Sequence, residues 1–120
     1  IIKPMGFEID DKKLKRAGLD YWPHLDIRLH DSWEDYLAEA TPKRLFFLST
    51  HGKTSLYSCR FEKGDALVFG NESSGLPKNF YTRYESALFK IPMPGEHARS
   101  INLANAVSIS AYECYRQLTF

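Results

Sequence analysis

The chain has 120 residues, a formal net charge of +1, 43% apolar residues and 14% aromatic residues. That length suits one domain with a real core, and the composition argues against a disordered chain. No apolar run approaches the roughly 20 residues of a membrane helix, and a charge so near zero means that any nucleic-acid binding has to come from a local patch.

Ile1 and Ile2 read as the end of a buried strand, broken by Pro4 and Gly6. The chain opens on isoleucine without a methionine, so further residues are expected upstream and no secretory signal is visible. Asp10 and Asp11 precede a short helix over Lys12–Ala17 that Gly18 ends. At about 100° per residue, Lys12, Lys13, Lys15 and Arg16 share one half of that helix. His24 to His30 alternates, with Leu25, Ile27 and Leu29 on one face, as a half-buried strand does. Ser32 is placed to cap a second helix whose Trp33, Tyr36, Leu37 and Ala40 follow the helical period, and Pro42 ends it. Leu45–Leu48 and Ala66–Phe69 are continuous apolar strands, Leu76 to Tyr84 suggests a helical turn, and Ala87 to Pro92 gives another strand. From Ile101 to Leu118 a long helix carries the stripe Leu103, Val107, Ala111, Cys114 and Leu118, with Ser100 as its expected N-cap. Strands alternating with helices predict an α/β fold with a mostly parallel sheet, in a single domain over 1–120.

Three apolar strands, at 45–48, 66–69 and 88–91, run into polar or Gly/Pro-rich loops. If they are parallel neighbours, the loops share a crevice at one edge of the sheet. The crevice would include the N-terminus of the last helix, where free amides favour a carboxylate or phosphate. The segment L-V-F-G-N-E-S-S-G-L-P at 67–77 is central, because Gly70 ends a buried strand where backbone must approach something closely. Dinucleotide, Walker, nucleophile-elbow and zinc-protease motifs are absent. His24, His30, His51 and His97 have no metal-ligand spacing, so no metal is expected. Cys59 and Cys114 read as reduced thiols of a cytoplasmic protein.

The pair L-V-F-G-N-E-S-S-G-L-P at 67–77 and I-P-M-P-G-E-H-A-R-S-I-N-L-A-N-A-V at 91–107 resembles the paired signature of the SPOUT methyltransferases. With I-I-K-P-M-G-F-E-I-D-D-K-K-L-K-R-A-G-L-D-Y at 1–21, the likeness narrows to the TrmL/YibK-like tRNA wobble-position ribose 2′-O-methyltransferases. It covers nearly the whole chain. The resemblance implies an α/β fold with a C-terminal trefoil knot that binds S-adenosylmethionine and releases S-adenosylhomocysteine. Leu48, Gly70, Ile91, Met93, Ser100 and Leu103 are the cofactor-binding residues it points to, and Tyr112 and Asn102 the catalytic ones. Asn105 stands beside Asn102 on the same first turn. Lys12, Lys13, Lys15, Arg16 and Glu72 are the residues expected to meet RNA.

The resemblance also implies a homodimer, with Tyr115 and Phe120 at its interface, acting on tRNA away from any membrane. Two departures stand out. Ser74 occupies a position where the family generally has an arginine. The family's first strand and helix, with the arginine that serves as candidate activator of the ribose hydroxyl, would lie before Ile1. Ribosomal RNA 2′-O-methylation and a non-catalytic RNA-binding module are the alternative readings.

Overall fold

Four short segments form the sheet: β1 (Leu45–Leu48), β2 (Thr54–Ser55), β3 (Ala66–Val68) and β4 (Leu88–Lys90). They appear in a computed structural model that describes residues 1–2, 26–71, 74–93 and 101–120. The strand order is β2-β4-β1-β3, and every pairing is parallel. Phe46 lies opposite Leu67, Phe47 opposite Leu88 and Leu48 opposite Phe89, while Thr54 of the edge strand meets Phe89 from the other side. A parallel sheet needs crossover connections, so both faces become covered.

Alternation along β1 sends its side chains to both layers. Phe47 is fully buried against Phe80 and Tyr84, with ring centroids 5.6 and 4.4 Å away, so helix α2 (Lys78–Arg83) covers that face. Burying a phenylalanine fully contributes about 1.5–3 kcal/mol. On the other face Leu56, Cys59, Phe61 and Phe89 form the core, with Phe46, Leu48, Leu67, Ile91 and Cys114 packed against it. Cys114 belongs to the C-terminal helix α3 (Leu103–Thr119). Both cysteines are free, and burial raises both thiol pKa values.

At the amino ends of β1 and β3, charge-assisted bonds fix the register. Arg44 grips both oxygens of Asp65 at 3.0 and 2.6 Å, and the Glu62 amide donates to the same carboxylate at 2.7 Å. The Arg44 hydrogen bond holds the Asp65 carboxyl below its usual range.

The chain divides into two units, Ile1–Thr41 and Pro42–Phe120. In the first, helix α1 (Trp33–Ala40) starts as expected, the Ser32 hydroxyl accepting from the Asp35 amide at 3.1 Å. It ends at Thr41, whose left-handed φ of 42° and bond to the Leu37 carbonyl form a C-cap just before Pro42. The strand expected over 24–30 is reduced, among the described residues, to one bridge between Ile2 and His30. Ile1, Ile27 and Leu29 are exposed. One bridge supplies no sheet face, so the alternation at 26–30 has nothing to bury against within the described residues. The helix expected over Lys12–Ala17 lies outside them.

The last helix departs from its expected face. Its buried residues are Ala106, Ser110 and Glu113, whereas Ala111 and Leu118 are exposed. Polar bonding causes the rotation. Gln117 accepts from the Phe61 amide at 2.9 Å and donates to the Cys59 carbonyl at 2.9 Å and to Glu113 at 3.0 Å. Hydrogen bonds from Arg116 and then Gln117 hold the Glu113 carboxyl down to about 2. Polar Ser110, Glu113 and Gln117 therefore share the docking face with Ala106 and Cys114.

Candidate active site

Because β1, β3 and β4 run parallel, their carboxyl ends emerge at one edge, and the loops beyond them enclose a single cavity of about 550 Å³. The β1 end supplies Leu48 to His51, the β3 loop Gly70, Asn71, Ser74 and Gly75, and the β4 end Lys90, Ile91 and Met93. The start of α3 closes it with Ile101 to Leu103 and Ala106. Ligand sites of open α/β sheets form in this way, at a strand edge with helix amides nearby.

Each wall has a local cause. The Ser49 amide donates to the Phe89 carbonyl at 2.9 Å and ties the β1 loop to β4, while the Ser49 hydroxyl accepts from the His51 amide at 3.0 Å. In the β3 loop, Asn71 and Gly75 exchange backbone bonds of 2.9 and 2.8 Å. Gly75 turns the chain with a φ of +73°, a conformation in which a Cβ is costly. A Cβ on Gly70 would overlap the Gly75 carbonyl carbon and the Leu76 nitrogen. Gly70 is thus required for close approach, but what approaches is the returning arm of its own loop. Tyr81 of α2 props that loop, its hydroxyl 3.0 Å from where a Gly75 Cβ would stand, and its ring meets His51 edge-on at 5.4 Å.

Of the cofactor residues named from sequence, Leu48, Gly70, Ile91, Met93 and Leu103 all line this cavity. Ser100 lies outside the described residues, as do Glu72, Lys12, Lys13, Lys15 and Arg16. Asn102 lines the cavity too, but as the N-cap of α3, a role expected of Ser100; its side-chain oxygen accepts from the Ala104 and Asn105 amides at 2.9 and 3.4 Å. Tyr112 stands apart from the cavity, 65% exposed, on a face of α3 that it shares with exposed Tyr115 and Phe120. Sequence reasoning missed Thr50, His51, Asn71, Tyr81 and Lys90. Asn71 and the S-T-H-G loop after β1 carried a signal in their position beyond apolar strands, whereas Tyr81 carried none.

The cavity fits a nucleoside-sized cofactor. Its volume lies within the roughly 300–1,000 Å³ of small-molecule sites, which pair apolar walls with a few polar groups. Leu48, Ile91 and Leu103 supply apolar walls, and Ser49, Thr50 and Asn71 the polar groups. Among the described residues no three His, Cys, Asp or Glu side chains are grouped to hold a metal, and no helix is long and apolar enough to cross a membrane.

A parallel sheet with a cofactor-sized cavity at its carboxyl edge is shared with a class of RNA methyltransferases: the chain belongs to the SpoU rRNA Methylase family, which residues 1–112 match. Within that class it is 43% identical over 122 residues to the tRNA (cytidine(34)-2'-O)-methyltransferase of Saccharophagus degradans, a match covering 100% of this chain and 78% of that protein. A solved structure reported as "Structural insights into the 2-OH methylation of C/U34 on tRNA" superposes with a TM-score of 0.86 at 53% identity, over 98% of this chain and 76% of that one. An S-adenosylmethionine-bound rRNA methyltransferase from Sinorhizobium meliloti superposes with a TM-score of 0.69 at 26% identity, over 96% of this chain and 45% of the other.

Proposed function

We propose that this chain methylates the ribose 2′-hydroxyl of the wobble nucleotide, position 34, in tRNA. The observation that carries the reading is that the two segments bearing the family likeness, 67–77 and 91–107, both contribute to one cavity. When bound there, S-adenosylmethionine supplies a methyl group on a sulfonium, an electrophile that a hydroxyl oxygen can attack. Leu48, Ile91 and Leu103 would hold the adenine, with Met93 and Ser100 completing its surround, and Gly70 keeps the β3 loop in the shape that forms the cavity wall.

Orientation is the main contribution asked of these residues. Fixing two reactants contributes about 7–11 kcal/mol, whereas a general base contributes 10²–10⁴-fold, roughly 3–5 kcal/mol. Asn102 acts by holding the first turn of α3. Tyr112 lies outside the cavity, so a catalytic role for it requires a second copy of the chain. That fits a homodimer joined through the exposed aromatic face of α3, where Tyr115 contacts Phe120 at 5.5 Å. Lys12, Lys13, Lys15, Arg16 and Glu72 contact the RNA, the chain closes into a trefoil knot around the cavity, and the enzyme works in the cytoplasm.

Nucleoside mass spectrometry of tRNA incubated with the full-length protein and S-adenosylmethionine tests this reading. The expected product is a 2′-O-methylated nucleoside mapped to position 34. Cofactor heat in calorimetry without that product would make the protein a binding module, and methylated ribosomal RNA in its place would shift the substrate.

A further inference from the structure

A second recess, of about 380 Å³, adjoins the cofactor cavity and shares His51 and Tyr81 with it; Lys53, Glu85 and Leu88 complete its lining. We propose that this recess holds the RNA backbone on the 3′ side of the target nucleotide: the phosphate that follows the methylated ribose, and the ribose after that. The inference rests on the tRNA reading above and adds a backbone subsite to it.

The wall between the two cavities is fixed by the fold. The Ser49 hydroxyl accepts from the His51 amide at 3.0 Å, and the Gly52 amide donates to the Ser49 carbonyl at 3.1 Å. Gly52 lies so close to β4 that an added Cβ would stand 2.6 Å from the Phe89 carbonyl carbon. Lys53 follows at once and leads into β2, whose Thr54 pairs with Phe89, so its backbone is tied to the sheet. From the other side, Tyr81 meets the His51 ring at 5.4 Å and 89°. Rings at right angles leave no parallel faces for a base to lie between. What they add to the recess is polar, an imidazole and a phenol hydroxyl.

The polar side chains of the recess are uncommitted. Among the described residues no hydrogen bond or ion pair engages Lys53, the His51 ring, the Tyr81 hydroxyl or the Glu85 carboxylate. Other exposed cations are engaged: Lys43 pairs with Glu62, Arg44 with Asp65 and Arg116 with Glu113. Three donors, one of them charged, suit the oxygens of a phosphodiester. A carboxylate beside them suits a group that donates, and the RNA backbone carries one on every ribose, the 2′-hydroxyl. Glu85 would accept from it, and Leu88 would lie against the ribose carbons. Glu85 also offsets the charge of Lys53, so the recess favours a singly charged diester over a free phosphate dianion. The 2′-oxygen and the 3′-phosphate sit on adjacent carbons of one ribose. A 2′-hydroxyl at the shared wall therefore brings its own 3′-phosphate nearest to the recess, which selects the 3′ side. Such a grip is the same for cytidine and uridine.

The test uses the full-length protein and tRNA assembled with a single altered backbone position. A neutral methylphosphonate between nucleotides 34 and 35 is expected to raise KM about tenfold or more, through loss of a charge-assisted hydrogen bond. Lys53→Met should raise KM on unaltered tRNA to a similar extent and lower the log–log salt slope by about 0.7–0.9. It should lose nothing further on the methylphosphonate tRNA. Its cytidine-to-uridine ratio at position 34 stays that of the wild type. Lys53 is outside the cofactor cavity, so the variant keeps the S-adenosylmethionine heat in calorimetry. A 2′-deoxyribose at position 35 should lower kcat/KM about fivefold or more in the wild type and have no effect in Glu85→Ala. Losses from Lys53→Met and the neutral linkage that multiply, or an unchanged KM and salt slope in Lys53→Met, overturn the proposal. If the wild-type protein leaves position 34 unmethylated, the functional reading fails. Fluorescence titration with the unaltered anticodon stem-loop then decides on the recess, since Lys53→Met binding it as tightly as the wild type also overturns the proposal.

Discussion

Replacing Gln117 with leucine should unfasten the C-terminal helix from the rest of the fold. The side-chain amide bonds the Phe61 amide and the Cys59 carbonyl, each at 2.9 Å, and the Glu113 carboxylate at 3.0 Å. Leucine fills a similar volume and makes none of these bonds. Two backbone groups beside the buried residues Cys59 and Phe61 then lose their partner, at about 1–3 kcal/mol for each group left unsatisfied. Water reaches part of this region, so the expected total is about 2–4 kcal/mol.

At about 4 °C per kcal/mol for a chain of this size, Tm falls by roughly 8–16 °C. Circular dichroism melts and urea titrations of the wild type, Gln117→Leu and Gln117→Glu measure it. The glutamate keeps the acceptor for Phe61 but sets a second carboxylate against Glu113 and the Cys59 carbonyl. It should therefore be at least as damaging as leucine at neutral pH and recover partly in acid. Because α3 supplies one wall of the cavity, S-adenosylmethionine at 100 times its Kd should restore about 2.7 kcal/mol to either variant. A leucine variant within 0.5 kcal/mol of wild type would refute the claim that Gln117 fastens the helix.

Gly70→Ala should push the 71–75 turn out of place and cost about 1–3 kcal/mol, with at least a tenfold loss of S-adenosylmethionine affinity by calorimetry. Ser110→Ala should stabilise the fold by about 1 kcal/mol in urea, since the fully buried Ser110 hydroxyl has no hydrogen-bond partner among the described residues. The Glu113 carboxyl is depressed from 4.5 to about 2, so its contribution is fully present above its unfolded value. It is lost as pH falls from about 4.5 towards 2; melts of Glu113→Gln should lack that component of the acid dependence. Neutralising Lys12, Lys13, Lys15 and Arg16 together should change the slope of log K against log salt for tRNA by roughly three, at 0.7–0.9 per phosphate contact.

The parts of this fold that could be read in the sequence are those set by local chemistry. Apolar runs marked β1, β3 and β4, and Ser32 with the Trp33–Tyr36–Leu37 spacing marked α1. The crevice followed from strand direction alone, and five of the six cofactor residues named for it line one cavity. What was not legible depends on distant partners. The docking face of α3 is turned by Gln117 reaching residues 56 and 58 positions earlier in the chain, so the apolar stripe matches it only in part: Cys114 packs against the core while Ala111 and Leu118 are exposed. β2 has two residues and exists only because β4 lies beside it. Tyr81 enters the site because a six-residue helix happens to pass over Gly75. The cap of α3 fell on Asn102, not Ser100, because two asparagine-accepted amides begin the helix two residues later.

The strand order has a consequence for how the protein is made. β4 lies between β1 and β2, although β3 and α2 are synthesised before it. A chain emerging from the ribosome can pair β1 with β3 early, but β2 has no neighbour until Leu88–Lys90 is released. Long-range pairing of this kind is slow to form. The cavity waits longer still, since its last wall is α3. Cofactor binding during translation would therefore report that synthesis has passed α3, and chains that stop short of it would neither sequester cofactor nor compete for tRNA through a half-built site.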